Sequence, residues 1–220
     1  AYPARHRTGN HGWMTSGRPT IDTIARTLEN VAESFAPNEL AYLALTSKIE
    51  HPIRDRLAWA MHTELWPEYL SAREWRRTDL AVLDRQASPV VLLEAKAMYS
   101  FDGCTEAGFS QYLGYLRSDR AKASTLAEPE TTVLLLLLAT HPEGAIDARL
   151  NGVVKYRSGI TAAAQRRPDP HAVRTTCMNR VTPIMESLGR TITGHITAGQ
   201  AFNVDVTVDY WLVQGREQQV

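Results

Sequence analysis

Two carboxylates and a lysine at strand spacing are the residues of this chain best placed to do chemistry. Residues 76–99 read RRTDLAVLDRQASPVVLLEAKAMY. The Val and Leu content of TDLAVLD and PVVLLEAKA predicts two strands, with a Ser-Pro turn signal in RQASP between them. Residues two apart share a strand face, so Glu94 and Lys96 project together. A hairpin symmetric about the loop pairs Leu83 with Val90, Ala81 with Leu92 and Asp79 with Glu94. Like charges directly opposite across a ladder are destabilising, so this pair needs a compensating cation. Hard divalent ions take carboxylate oxygens, and the expectation is a metal site on a hairpin. The bland alternative is an exposed Glu94–Lys96 ion pair of little energetic worth, which leaves Asp79 unexplained.

Composition sharpens the signal. The chain has twenty Arg but only four Lys: Lys48, Lys96, Lys122 and Lys155. One of the four falls in the only Glu-x-Lys, at the end of an apolar strand. The Arg bias suits phosphate, which a guanidinium grips with a rigid fork; genome composition explains it equally well. The balance of 24 basic and 24 acidic residues gives no global field toward nucleic acid, so any such binding comes from local patches.

Asp79, fourteen intervening residues and then Glu94-Ala95-Lys96 resemble the core of the PD-(D/E)xK nuclease superfamily, with Thr78 where a proline usually precedes the first acid. Gln111 and Tyr115, on the helix after the lysine strand, are similar to the QxxxY element of its RecB-like branch. The resemblance covers about residues 48–140. It implies an α/β fold, a restriction-endonuclease-like mixed central sheet flanked by helices, here with extra N-terminal helices and a C-terminal β-hairpin. It implies metal-dependent phosphodiester hydrolysis in DNA, RNA not being excluded, as in a restriction or defence endonuclease. The alternatives are a repair or recombination exonuclease, or a catalytically silent nucleic-acid-binding module. Mg²⁺ (or Mn²⁺) would be held by Asp79, Glu94 and the Ala95 carbonyl, with Glu50 completing the shell. Lys96 would orient the attacking water and Gln111 would fix substrate or the site helix. Arg73, Arg76, Arg77 and Tyr115 would contact nucleic acid, and a homodimer would favour double-strand cutting.

The flanking elements must bring these groups together. A helix over Glu50–Leu65, with Pro52 in its first turn and Ile53, Leu57, Ala60 and Met61 as its apolar stripe, offers Glu50, which lies 29 residues before Asp79. Asp55 and Glu64 are rivals on the same helix, and Glu50 also suits a helix N-terminus electrostatically. Tyr69–Arg77 is expected as the first strand, delivering Arg73, Arg76 and Arg77 beside Asp79. A helix over Thr105–Leu126 puts Gln111 and Tyr115 on one face. The apolar Thr131–Thr140 run predicts a central parallel strand covered on both faces.

Outside that core, Thr20 reads as the N-cap of a helix with Ile21, Ile24, Leu28 and Val31 at helical spacing. A second helix starts at Asn38, and a third region, 145–167, is helical in parts. His171–Leu188 is helical, stopped by Gly189, with Arg174 and Arg180 on a solvated face. The C-terminal hairpin is expected as Thr191–Thr197 and Phe202–Val213 about an Ala198-Gly199-Gln200 turn, with Asp205 and Asp209 on its wet side.

At 220 residues the chain fits one domain over 20–220 after a mobile arm, 1–19, in which His6 and His11 have no clear partner and Arg5, Arg7 and Arg18 are available to phosphate. The absence of an initiator Met suggests that the first residues are either processed or foreign to the natural chain. Cys104 and Cys177 form no metal or disulfide pattern, and no leader or membrane-length apolar run is evident. The expectation is a soluble, cytoplasmic protein with no membrane partner.

Overall fold

The computed structural model describes residues 17–166 and 169–215. Its helices are α1 (Ile21–Glu29), α2 (Glu39–Thr46), α3 (Glu50–Leu65), α4 (Ser100–Gly103), α5 (Glu106–Ser124), α6 (Arg157–Arg166) and α7 (Pro170–Leu188). Its strands are β1 (Leu70–Trp75), β2 (Thr78–Leu83), β3 (Pro89–Tyr99), β4 (Thr132–Pro142), β5 (Gly189–Ala201) and β6 (Val204–Gly215). They form one mixed sheet in the order β1-β2-β3-β4-β6-β5.

The leucine run dictates the layering. Successive side chains of a strand point to opposite faces, so a strand apolar at every position needs cover on both. Leu134, Leu136 and Leu138 pack with α1, α2 and α3. Leu135 and Leu137 pack with Phe109 and Leu116 of α5 and with Val181 and Met185 of α7. The result is an α/β sandwich with helices on both faces of the sheet. The β3–β4 pair is parallel, from Val91–Thr132 to Tyr99–Thr140, and its crossover runs through α5. Thr20 caps α1 as the sequence predicts, its hydroxyl accepting from the Thr23 amide. Among the described residues no helix is long and apolar enough to cross a membrane.

Several local expectations are corrected. Ala81 pairs with Leu92 as anticipated, but Leu83 meets Pro89 instead of Val90. The loop is asymmetric because the Asp84 carboxylate accepts from the Gln86 and Ser88 amides, both at 2.9 Å. The first strand ends at Trp75; Arg76 and Arg77, at φ 48° and 70°, are the two-residue turn that brings Trp75 opposite Thr78. At the C-terminus the turn is Phe202-Asn203, again with both φ positive, and not Ala198-Gly199-Gln200. Gly199, at φ 94°, sits where the β5–β6 register shifts, a backbone position that other residues resist. The arm lies outside the described residues up to 16; of its last three, Pro19 is buried and Arg18 bonds Glu130, its Nη1 at 2.9 Å from Oε2.

The supposedly wet face of β6 is covered by α7. Asp209 is buried, and the Arg174 guanidinium grips it through Nε (2.9 Å to Oδ2) and Nη2 (2.6 Å to Oδ1). Arg174 is therefore a structural partner, not part of a solvated face, whereas Arg180 only approaches Glu106 at 3.7 Å. Removing one member of a buried pair strands the other charge. Arg174→Met is expected to lower the unfolding free energy by about 3 kcal/mol, the low end of that range because Arg174 keeps 28% exposure. The double variant Arg174→Met/Asp209→Leu should recover most of the loss. Urea titration of the three proteins checks both statements.

Candidate active site

The site begins where β2 stops. Its ladder with β3 runs only from Leu83–Pro89 to Leu80–Leu93, while β3 continues to Tyr99 with β4 on its other side. The amides of β3 beyond Leu93 on the open side therefore need other acceptors, since an unpaired buried N–H costs about 1–3 kcal/mol. Three carboxylates supply them. Asp79 Oδ2 accepts from the Ala95 amide at 2.8 Å, Glu50 Oε2 from Ala97 at 2.8 Å and Asp102 Oδ2 from Tyr99 at 3.2 Å. They come from the start of β2, the first turn of α3 and the short helix α4 that follows β3.

The side chains of β3 add charge to the same edge. Odd positions such as Leu93 and Ala95 face α1–α3. Glu94 and Lys96 face α5, which carries a partner for each. Glu94 Oε1 lies 3.1 Å from Lys122 Nζ, and Lys96 Nζ lies 2.5 Å from Asp119 Oδ2. Lys122 also donates to the Arg77 carbonyl, and Lys96 to the Ala95 carbonyl at 3.1 Å. Asp79 Oδ1 lies 3.6 Å from Arg54, a buried guanidinium that also bonds Asp55 and Glu74. Glu50 Oε1 is approached by Lys48 at 3.8 Å and by His51 at 3.9 Å.

Electrostatics follow from this crowding. Burial pushes the Glu94 carboxyl up to about 7, helped by the charges of Asp79 and Asp119 and opposed by Lys122. For Lys96, burial pulls downward, but the bond to Asp119 and the charges of Asp119, Asp79 and Glu50 outweigh it, and its pKa is raised. Lys96 therefore stays a cation. The compensating charge that the sequence argument assigned to a metal is supplied here by Lys122 and Arg54. Among the described residues, no three acidic, His or Cys side chains are drawn together around a common point.

Glu50, Asp79, Glu94, Ala95 and Lys96 thus meet at one edge. Glu64 and Asp55 do not join them: Glu64 bonds Arg26 at 2.5 Å and Asp55 bonds Arg73 at 2.8 Å. Gln111 and Tyr115 lie on the adjacent cleft wall, Gln111 Nε2 donating to the Tyr115 hydroxyl at 2.6 Å, and neither bonds an acid of the edge. Arg73 is tied to Asp55, and Arg76 lies over the Trp75 ring with 4.6 Å from guanidinium to ring centre. Both remain exposed, as does Arg77. Asp205 lies away from this edge, on the C-terminal hairpin, and Asp209 lies beneath α7.

Sequence reasoning missed Arg54, Asp102, Asp119 and Lys122. Three of them carried a signal. Gln111, Tyr115, Asp119 and Lys122 follow one another at intervals of four, four and three, a single helical face. Lys122 is also one of only four lysines, and Arg54 stands one turn after Glu50.

Two measurements test the edge. Asp79→Asn keeps an acceptor for the Ala95 amide and should fold with nearly normal stability, whereas Asp79→Ala should cost about 1–3 kcal/mol in urea unfolding. Glu94 governs the pH profile. Its folded pKa lies above its ordinary value of 4.5, so between pH 4.5 and about 7 the folded state holds a proton that the unfolded state has released. Stability is expected to fall as pH rises through that window, by about 3 kcal/mol in all, and Glu94→Gln should flatten the profile. An unchanged slope in Glu94→Gln would contradict this assignment.

Compared with protein-family models, with curated proteins and with solved structures, the chain matches none.

Proposed function

We propose that the chain is a metal-dependent phosphodiesterase acting on DNA, a nuclease of the PD-(D/E)xK kind in a restriction or defence role. The observation that carries this reading is the placement of Glu50, Asp79, Glu94 and Lys96, drawn from α3, β2 and β3, along one open strand edge beside a cleft. The order α3, β1, the β2–β3 hairpin, α5 and the parallel strand β4 is also the one expected of a restriction-endonuclease-like core, which supports it.

The donor atoms, though not gathered at one point among the described residues, are of the kind a hard cation takes. Asp79, Glu94, Glu50 and the Ala95 carbonyl offer only oxygen, the preference of Mg²⁺ and Mn²⁺. A bound cation would take the place of Lys122 on Glu94 and of Arg54 on Asp79, the groups that balance these acids in the structure. Asp79, Glu94 and the Ala95 carbonyl would hold the ion, with Glu50 completing the shell. When bound, it would supply Lewis acidity and a water of lowered pKa. Lys96 would leave Asp119 to donate to the phosphoryl oxygens, where negative charge grows in the transition state. Arg76 and Arg77, at the hairpin tip, and Arg73 would position the flanking phosphates. Gln111 would orient Tyr115 on the cleft wall.

A second reading has one specific support. Lys122 and Arg54 already neutralise Glu94 and Asp79, an arrangement suited to a catalytically silent nuclease-like module.

Two experiments separate them. Cleavage of supercoiled plasmid and end-labelled linear DNA is expected with Mg²⁺ or Mn²⁺, absent in EDTA, and reduced about 100-fold or more in Lys96→Ala. Nicking against end-trimming then distinguishes endonuclease from exonuclease. Mg²⁺ should also raise the melting temperature of the wild-type protein but not of Glu94→Gln. Cleavage that survives EDTA or Lys96→Ala would exclude the proposed site, and metal-independent melting without cleavage would favour the silent module.

A further inference from the structure

The cleft beside the acidic edge has a second chemical character. It encloses about 570 Å³, and five of its lining residues are aromatic: Tyr99, Phe101, Tyr112, Tyr115 and Tyr156. Tyr99 and Phe101 are stacked, ring centres 5.3 Å apart at 19°, and Tyr156 meets Tyr99 edge-on at 5.5 Å. On the α5 wall Tyr115 meets Tyr112 edge-on at 6.3 Å. Tyr156 is 57% exposed and Tyr115 45%, so both rings remain open to solvent.

The charges around the rings are not scattered. Two of the chain's four lysines, Lys48 and Lys96, line the cleft, and Lys155 Nζ lies 5.6 Å from the centre of the Tyr156 ring. Two carboxylates also line the cleft. Glu50 faces Lys48, and Asp102 accepts from the Tyr99 amide and from the Tyr112 hydroxyl at 3.1 Å. Gln111 adds an amide able to bond a base edge. Rings for a planar π-face together with ammonium groups for an anion are the two halves of a nucleotide unit.

We infer that this cleft takes an unstacked nucleobase of a single-stranded polynucleotide, with its phosphate turned toward Lys96 and Lys48. The inference rests on the nuclease reading only for the scissile phosphate; base binding stands on the rings and lysines. A base inside a duplex is stacked on its neighbours and cannot enter a concave pocket without leaving the helix. The substrate class is therefore single-stranded DNA, a frayed end or a flipped nucleotide.

The test measures binding in EDTA, where cutting is stopped, by fluorescence anisotropy of labelled oligothymidylate, a matching duplex and competing dTMP. The single strand should bind more tightly than the duplex, and dTMP should compete only weakly. Tyr156→Leu should weaken strand binding about tenfold, while Tyr156→Phe, which keeps the ring, should leave it near wild type. Tyr156 is exposed, so both variants should retain the wild-type fold, checked by melting. Equal affinity for duplex, dTMP binding as tight as the strand, no effect of Tyr156→Leu, or no binding of any probe would each overturn the inference. The nuclease reading is scored separately, by plasmid cleavage and Lys96→Ala. Metal-dependent cutting untouched by Tyr156→Leu would leave that reading standing while this one falls.

Discussion

The candidate site exists because β3 outruns β2. A strand that continues past its neighbour exposes a row of amides, and such an edge must be paired, covered or charged. Here three acids from three different elements accept three successive outward amides, those of Ala95, Ala97 and Tyr99. Charge-assisted bonds of this kind are about twice as strong as neutral ones, which lets short side chains replace a ladder. One requirement of backbone satisfaction thus gathers acidic oxygens along a line, and Glu94 adds another from the adjoining face.

Gathering acids has an electrostatic cost that the rest of the site offsets. Lys96 and Lys122 answer from β3 and α5, and Arg54 from α3. The choice of cation is informative. Most cations in this chain are arginines, many in surface pairs such as Arg85 with Glu68 or Arg190 with Asp22. Lysines stand instead at the cleft, Lys48 and Lys96 in its lining and Lys155 beside Tyr156, and on the acidic edge, Lys122 on Glu94. An ammonium on a flexible stem can exchange one carboxylate for another anion, which a rigid forked guanidinium does less readily. Lys96, half-buried on Asp119, is held in that exchangeable manner.

Much of this was legible in the sequence because local rules suffice for it. Period and composition locate α3, β3, α5 and β4 within a residue or two, and the all-apolar leucine run correctly requires helices on both faces. Hairpin logic puts Ala81 opposite Leu92 and so brings Asp79 to Glu94. The illegible parts are those that tertiary context decides. Arg76-Arg77 and Phe202-Asn203 adopt turn conformations that Asn-Gly would announce and these residues do not. Asp209 looked wet because alternation says nothing about what packs on the far face. Glu50 could not be separated from Glu64 by spacing, since both lie on α3; only the direction of the first turn toward the Ala97 amide distinguishes them.

The sheet order carries one more consequence, for aggregation. The most apolar strand, β4, is enclosed on one side by β3 and on the other by β6. β6 in turn hides behind β5, whose outward positions, among them Arg190, Thr193, His195 and Thr197, are largely polar. Without the C-terminal hairpin, the Leu134–Leu138 stretch would be a flat, uncharged, unpaired edge, the kind that templates intermolecular strand addition. The hairpin lies far from the acidic edge in the strand order, yet its pairing along β4 closes the core strand of the same sheet to a second chain.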